Sequence, residues 1–146
     1  MALLDPTPSP WTSRMRSIVR IVVGFAFLVH GTAKLFGVPS GGGPVDSWFS
    51  LIGLAGILET FGGLAIVLGL FTRPVAFVLS GEMAVAYFMA HFPKSFWPAQ
   101  NGGEPALLFC FFFLYLVFAG PGEWSLDAGL ARSRGVAAET PRAAAR

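Results

Sequence analysis

Residues 51–71 read LIGLAGILETFGGLAIVLGLF. A helix rises about 1.5 Å per residue and the hydrocarbon of a bilayer is roughly 30 Å thick, so about 20 residues of this kind suffice to cross it. The run carries a single ionisable side chain, Glu59. A charge at the centre of a bilayer costs at least roughly 2.5–3.5 kcal/mol, so Glu59 is expected to face a protein interior rather than lipid.

Three other runs repeat this pattern, at residues 18–36, 75–92 and 105–120. The first is interrupted by His30 and Lys34, the third by Glu82 and His91. The fourth is short for a span, and Pro121 with Gly122 beyond it favours a stop, although one further turn past Pro121 is conceivable. The composition agrees: 54% of the residues are hydrophobic and only 12% are charged, about half the charged share of a soluble domain. The fold class expected is therefore all-α, an integral membrane four-helix bundle at residues 18–127. A flexible, proline-containing arm (residues 1–17) precedes it, and an Ala/Arg-rich tail (residues 128–146), partly helical and without chemistry, follows. No signal peptide separates from the first run, which is too long for an h-region.

The ten basic residues set the orientation. All eight arginines (14, 16, 20, 73, 132, 134, 142 and 146) fall on one side of the four runs, and Lys34 and Lys94 on the other. The positive-inside rule then puts both termini in the cytoplasm, as four crossings require. Trp11, Trp48, Trp97 and Trp124 stand beside run ends, where an aromatic belt lies. The basic residues form no stripe, so the net charge of +2 does not point to nucleic acid. The lone Cys110 excludes an internal disulfide or a CxxC pair and reads as a small hydrophobe. A weak repeat at an offset of 61 residues relates Phe27, His30, Gly41, Gly42 and Pro44 to Phe88, His91, Gly102, Gly103 and Pro105; it would make two hairpins parallel copies.

With that orientation the polar residues gather toward the outer face. His30 and Lys34 near the end of the first run, Glu59 in the second, Glu82 in the third and Asn101 with Glu104 at the start of the fourth share the outward half, and the inward half reads as almost purely apolar. His30 and Lys34 share a helix face, so a pair between Glu59 and either of them is expected, with Gly62 and Gly63 allowing close approach. Such a pair could form a site or only join two helices, and Lys34 could instead snorkel to the interface. Glu82 could be a protonated core carboxyl or a proton-relay group. At 100° per residue, Glu82 and His91 fall on nearly opposite faces, so His91 is expected to point away from the pocket. A haem clamped by His30 and His91 is disfavoured by Lys34 beside the first and by the terminal position of the second. No metal site has the needed ligand spacing, and no phosphate-binding loop is present.

The stretch HGTAKLFG (residues 30–37), Glu59 with Gly62 and Gly63, GLFTRP (69–74), MAVAY (83–87) with His91, NGGE (101–104), and GPG (120–122) with SLD (125–127) together resemble the DoxX family of small four-helix bacterial membrane proteins. The resemblance covers most of residues 20–127. It implies the inner (plasma) membrane and, since related proteins include a subunit of a thiosulfate:quinone oxidoreductase, a quinone-side or anchoring role in an oxidoreductase complex. In the quinone reading Glu59, His30 and Lys34 carry the chemistry, Glu82, Asn101 and Glu104 complete the quinone pocket, and quinone is the cofactor. The competing readings are a non-catalytic anchor or assembly subunit, and a small proton-coupled transporter using Glu59 and Glu82. Membrane lipid and either a protein partner or a second copy of the chain are the partners expected.

Overall fold

The computed structural model describes residue 9, residues 11–41 and residues 43–138, and among these every regular element is helical. Helix α1 is Trp11–Phe36, α2 is Leu51–Leu68, α3 is Thr72–Lys94, α4 is Glu104–Ala119 and α5 is Leu126–Ala138. A single turn, Pro98–Asn101, lies between α3 and α4. Helices α1, α2 and α3 are each long and apolar enough to cross a membrane, and α4 is a shorter apolar helix of 16 residues. Their outer faces carry exposed Val22, Phe25, Leu54, Phe61, Phe77 and Leu108. So large an exposed apolar surface suits lipid and not water.

The termini of these helices depart from the apolar runs. Helix α1 begins at Trp11, so residues 11–17 are part of it and not of a flexible arm. Hydropathy marks where a helix is apolar, not where it starts, and here the polar first turns are held by contacts. Arg14 lies over the Trp11 ring at 5.0 Å and pairs with Glu123 at 2.7 Å, while Ser17 Oγ accepts from the Trp124 amide. Helix α4 stops at Ala119 without a further turn, and α5 takes up part of the tail. Residues 1–8 and Pro10 of the expected arm, 139–146 of the tail and Gly42 of the repeat lie outside the described residues.

The starts of α2, α3 and α4 each have an identifiable cause. Ser50 caps α2, its Oγ accepting from Gly53 N at 3.0 Å. The first amides of α3 are capped from far along the chain: Asp127 accepts from Phe71 N and Thr72 N, both at 2.8 Å. Pro74 and Pro105 occupy first turns, where a missing N–H costs nothing.

Helix α1 runs along α2, and α3 along α4. Backbones meet at two glycines of the first pair. A Cβ on Gly63 would stand 2.8 Å from Leu28 N, and one on Gly31 would fall on the backbone of Glu59 and Thr60. Gly62 faces a different neighbour, the Leu79 side chain of α3. Phe27 links the two pairs, its ring packing edge-on against Phe109 and Phe113 of α4 at 5.0 and 4.8 Å. With Ile66, Leu79 and Leu116 it forms the apolar core.

The half of the molecule away from Glu59 is not purely apolar. Arg20, fully buried, donates from Nε to Pro121 O at 2.8 Å, from Nη2 to Trp124 O at 2.5 Å, and from Nη1 to Val67 O at 2.6 Å and to Ile66 O. The last turn of a helix leaves carbonyls without intrahelical partners, and here one guanidinium gathers those of α2 together with those of the loop after α4. Read only as a topogenic charge, Arg20 gives no sign of this in the sequence.

Candidate functional site

Toward the other end of the helices lies a cavity of about 280 Å³. His30 and Lys34 from α1, Glu59 from α2, and Glu82 and His91 from α3 all line it, and Phe27 and Phe109 supply aromatic wall. Helix α1 delivers His30 and Lys34 because residues four apart share a face, and Gly31 between them lets α2 come close enough to bring Glu59 alongside.

Lys34 Nζ donates to Glu59 Oε1. The lysine side chain is 35% exposed and the glutamate only 2%, so the pair reaches from the interior to the surface. Glu59 Oε2 is buried without a hydrogen-bond partner, as are both carboxyl oxygens of Glu82. A buried polar atom left unpaired costs roughly 1–3 kcal/mol, and these three oxygens have almost no accessible surface, enclosed by their neighbours at the wall of the cavity. His30 stands edge-on to Phe109 at 5.7 Å.

Two π-helical turns shape this site. Glu59 lies in the turn Leu58–Gly62 and His91 in the turn Tyr87–His91. A π turn holds more residues than an α turn, so the angle between Glu82 and His91 is not the near-opposition that 100° per residue gives. The expectation that His91 points away is thereby corrected: it lines the same cavity as Glu82. His91 stacks on Tyr87 with ring centres 6.5 Å apart, and its Nδ1 lies 3.2 Å from the Asn101 carbonyl oxygen.

The remaining candidates fall elsewhere. Asn101 is buried and braces the turn before α4: its Nδ2 donates to Ser95 O at 2.8 Å and its Oδ1 accepts from Gly103 N at 2.7 Å. Its contact with the site runs through its backbone carbonyl to His91. Glu104 is exposed at the first turn of α4 and does not line the cavity, because the helix start turns it outward. Of the repeat pairs, His30 and His91 share the cavity, whereas Phe27 is buried and Phe88 is 62% exposed.

Fold and site together define a small, all-helical membrane protein with an ionisable cavity among its helices. The chain belongs to the DoxX family, whose model matches residues 15–92, a stretch that runs from α1 to His91 and beyond. It is 46% identical over 118 residues to an uncharacterized protein of Haemophilus influenzae, a match spanning 76% of this chain and 87% of that one. It is also 29% identical over 133 residues to an uncharacterized membrane protein of Mycobacterium tuberculosis, covering 78% and 80% respectively. No solved structure matches the chain.

Proposed function

We propose that this protein is a quinone-binding membrane subunit of an oxidoreductase complex in the bacterial inner membrane, its apolar helices forming a four-helix bundle with both termini in the cytoplasm. The observation that carries the reading is the convergence of His30, Lys34, Glu59 and Glu82 on one cavity with aromatic walls. A quinone headgroup is a flat ring with two carbonyls, and its reduction consumes two electrons and two protons. Lys34 or His30 donates a hydrogen bond to a carbonyl, and Glu59 passes a proton between the ring and the surface along its pair with Lys34. Proton transfer of this kind needs an acid or base within about 3 Å of the reacting oxygen. The electrons come from a reduced carrier on a partner subunit.

A second reading has one observation in its favour. The Lys34–Glu59 pair sits where Gly31 brings α1 and α2 together, and polar contacts between membrane helices can serve packing alone. In that case the chain anchors or assembles a complex and catalyses nothing. Purification in mild detergent, with extraction and mass spectrometry for quinones and identification of co-purifying proteins, separates the two. Quinone retained by the native protein and lost in Glu59→Gln supports the first reading. Absence of quinone from both, with a stoichiometric soluble partner in both, supports the second.

A further inference from the structure

Helices α1 and α4 are joined deep in the core, where Phe27 packs on Phe109 and Phe113, and at the arginine end, where Arg16 Nη1 donates to Ala119 O. Alongside these contacts a groove of about 490 Å³ stays open, with Thr12, Met15, Arg16 and Val19 of α1 on one wall and Phe112 and Tyr115 of α4 on the other. Spacings of three and four put the α1 residues on one helix face. Met15, Val19 and Tyr115 are exposed, so the groove opens sideways toward lipid and not into the core. It lies at the other end of the helices from the Glu59 cavity and shares no residue with it.

The groove is graded along its length and one-sided in charge. Thr12 to Val19 covers about 10 Å of α1, with Thr12 and Arg16 nearer the helix start and Val19 opposite Phe112 at the deeper end. Trp11, also on the wall, marks the headgroup level. Of the cations and anions near the mouth, Arg14 is neutralised by Glu123, and Asp127 is taken up by the amides of Phe71 and Thr72. Among the described residues Arg16 has no acidic partner. Its Nη1 is fixed on Ala119 O and its Nε is enclosed, which leaves Nη2 to the groove.

We propose that this groove binds one anionic phospholipid of the adjoining leaflet, its phosphate on Arg16 and Thr12 and one acyl chain along Val19 and Phe112. The gradation matches the molecule: a guanidinium and a hydroxyl donate to phosphate oxygens, and the apolar floor below them takes methylenes. The charge selects the headgroup. Phosphatidylethanolamine carries an ammonium beside its phosphate, and the two carboxylates of this end among the described residues, Glu123 and Asp127, are already engaged. Phosphatidylglycerol brings no cation and meets an arginine whose charge nothing else offsets. Basic pockets between membrane helices hold anionic headgroups in this way.

The test is native mass spectrometry of the full-length protein in detergent, titrated with palmitoyl-oleoyl phosphatidylglycerol and with the phosphatidylethanolamine of the same chains. The first phosphatidylglycerol is expected to bind about five-fold tighter. Arg16→Gln should bring the two lipids to within about two-fold of each other. Arg132→Gln, which removes the same charge from the exposed face of α5, should leave the preference intact. Val19→Trp, which fills the deeper end, should weaken both lipids and keep their ratio. Equal affinities in the native protein, a preference that survives Arg16→Gln, or a preference lost as fully in Arg132→Gln would each overturn the proposal, the last by tracing it to the overall charge of that end. Val19→Trp without effect on either lipid would overturn the seat of the acyl chain. Thermal unfolding of each variant shows that it is folded, and the ratio of the two affinities is insensitive to a fraction of inactive protein.

Discussion

Lys34 meets Glu59 one helical turn from Gly31, the residue whose missing side chain lets α1 lie against the backbone of Glu59 and Thr60. Contact and charge pair are therefore one device: the glycine sets the distance and the pair occupies it. Glu59 is buried and Lys34 reaches outward, so the two ends of the pair differ in what their loss costs.

Removing the lysine alone leaves a buried carboxylate without its cation. Lys34→Met should destabilise the protein by about 1–3 kcal/mol, below the usual figure for a fully buried pair because Lys34 is partly exposed. The double variant Lys34→Met/Glu59→Leu should recover much of that loss. Thermal unfolding in detergent of the two single variants and the double variant measures the coupling, and purely additive effects would show that the pair has no energetic role.

At Gly31 a single methyl has nowhere to go. Gly31→Ala should push α1 off α2 and cost about 1–3 kcal/mol, as overpacking in a well-packed interior does. Gly81→Ala is the matched control, since a Cβ there meets nothing within 4 Å and the exchange should be neutral or slightly stabilising. Membrane abundance and melting temperature of the two variants should diverge accordingly; equal behaviour would remove the close contact as a determinant.

Much of this arrangement is legible in the chain itself, for identifiable reasons. The four apolar runs locate the helix ends to within three residues, except the start of α1, which lies seven residues before its run, because hydropathy is a property of whole segments. Helical spacing narrows the partner of Glu59 to Lys34 or His30, but that Gly31 closes the contact while Gly62 faces Leu79 is not legible. Nor are the positions of His91 and Arg20. His91 turns into the cavity through a π turn, Tyr87–His91, and no residue in MAVAYFMAH announces a change of helical period. Arg20 was legible only as one of eight arginines; that it gathers carbonyls from α2 and from the loop after α4 depends on contacts between residues 46–104 positions apart. A lone arginine just inside an apolar run, with helix ends at Gly69 and Gly120, is the signal that points to such a cluster.

Arg20 should resist conservative exchange. A guanidinium spreads its donors over three nitrogens in a plane, and a lysine offers three from one point. Ile66 O keeps the Gly69 amide, but Val67 O, Pro121 O and Trp124 O are served by three different guanidinium nitrogens. Arg20→Lys should therefore leave at least one of these three out of reach, at about 1–3 kcal/mol each, and Arg20→Met should be worse. The measurement is unfolding in detergent; a lysine variant as stable as the native protein would show that charge alone suffices.

Asp127 provides a smaller and separable contribution. Its two oxygens take the amides of Phe71 and Thr72 at the start of α3. Asp127→Ala should cost about 0.5–2 kcal/mol, the range for a lost helix cap, and Asp127→Asn clearly less because its amide oxygen still caps. Hydrogen exchange should rise first at the opening turn of α3. If instead the whole chain loosens together, Asp127 ties the loop after α4 to the rest of the protein more than it caps a helix.

The orientation can be tested without any assumption about function. Arg14, Arg16, Arg20 and Arg73 share one end of the helices, since Arg14 reaches Glu123, Arg16 reaches Ala119 O, Arg20 reaches Pro121 O, and Arg73 reaches Val117 O. A cytoplasmic location for that end puts the cavity toward the outer face. In a Cys110→Ser background, Ser40→Cys should react in intact cells with a membrane-impermeant maleimide, and Ala128→Cys only after the cells are opened. The reverse pattern would turn the molecule over and move the cavity to the cytoplasmic half, where any proton exchanged by Glu59 would be drawn from the opposite side of the membrane.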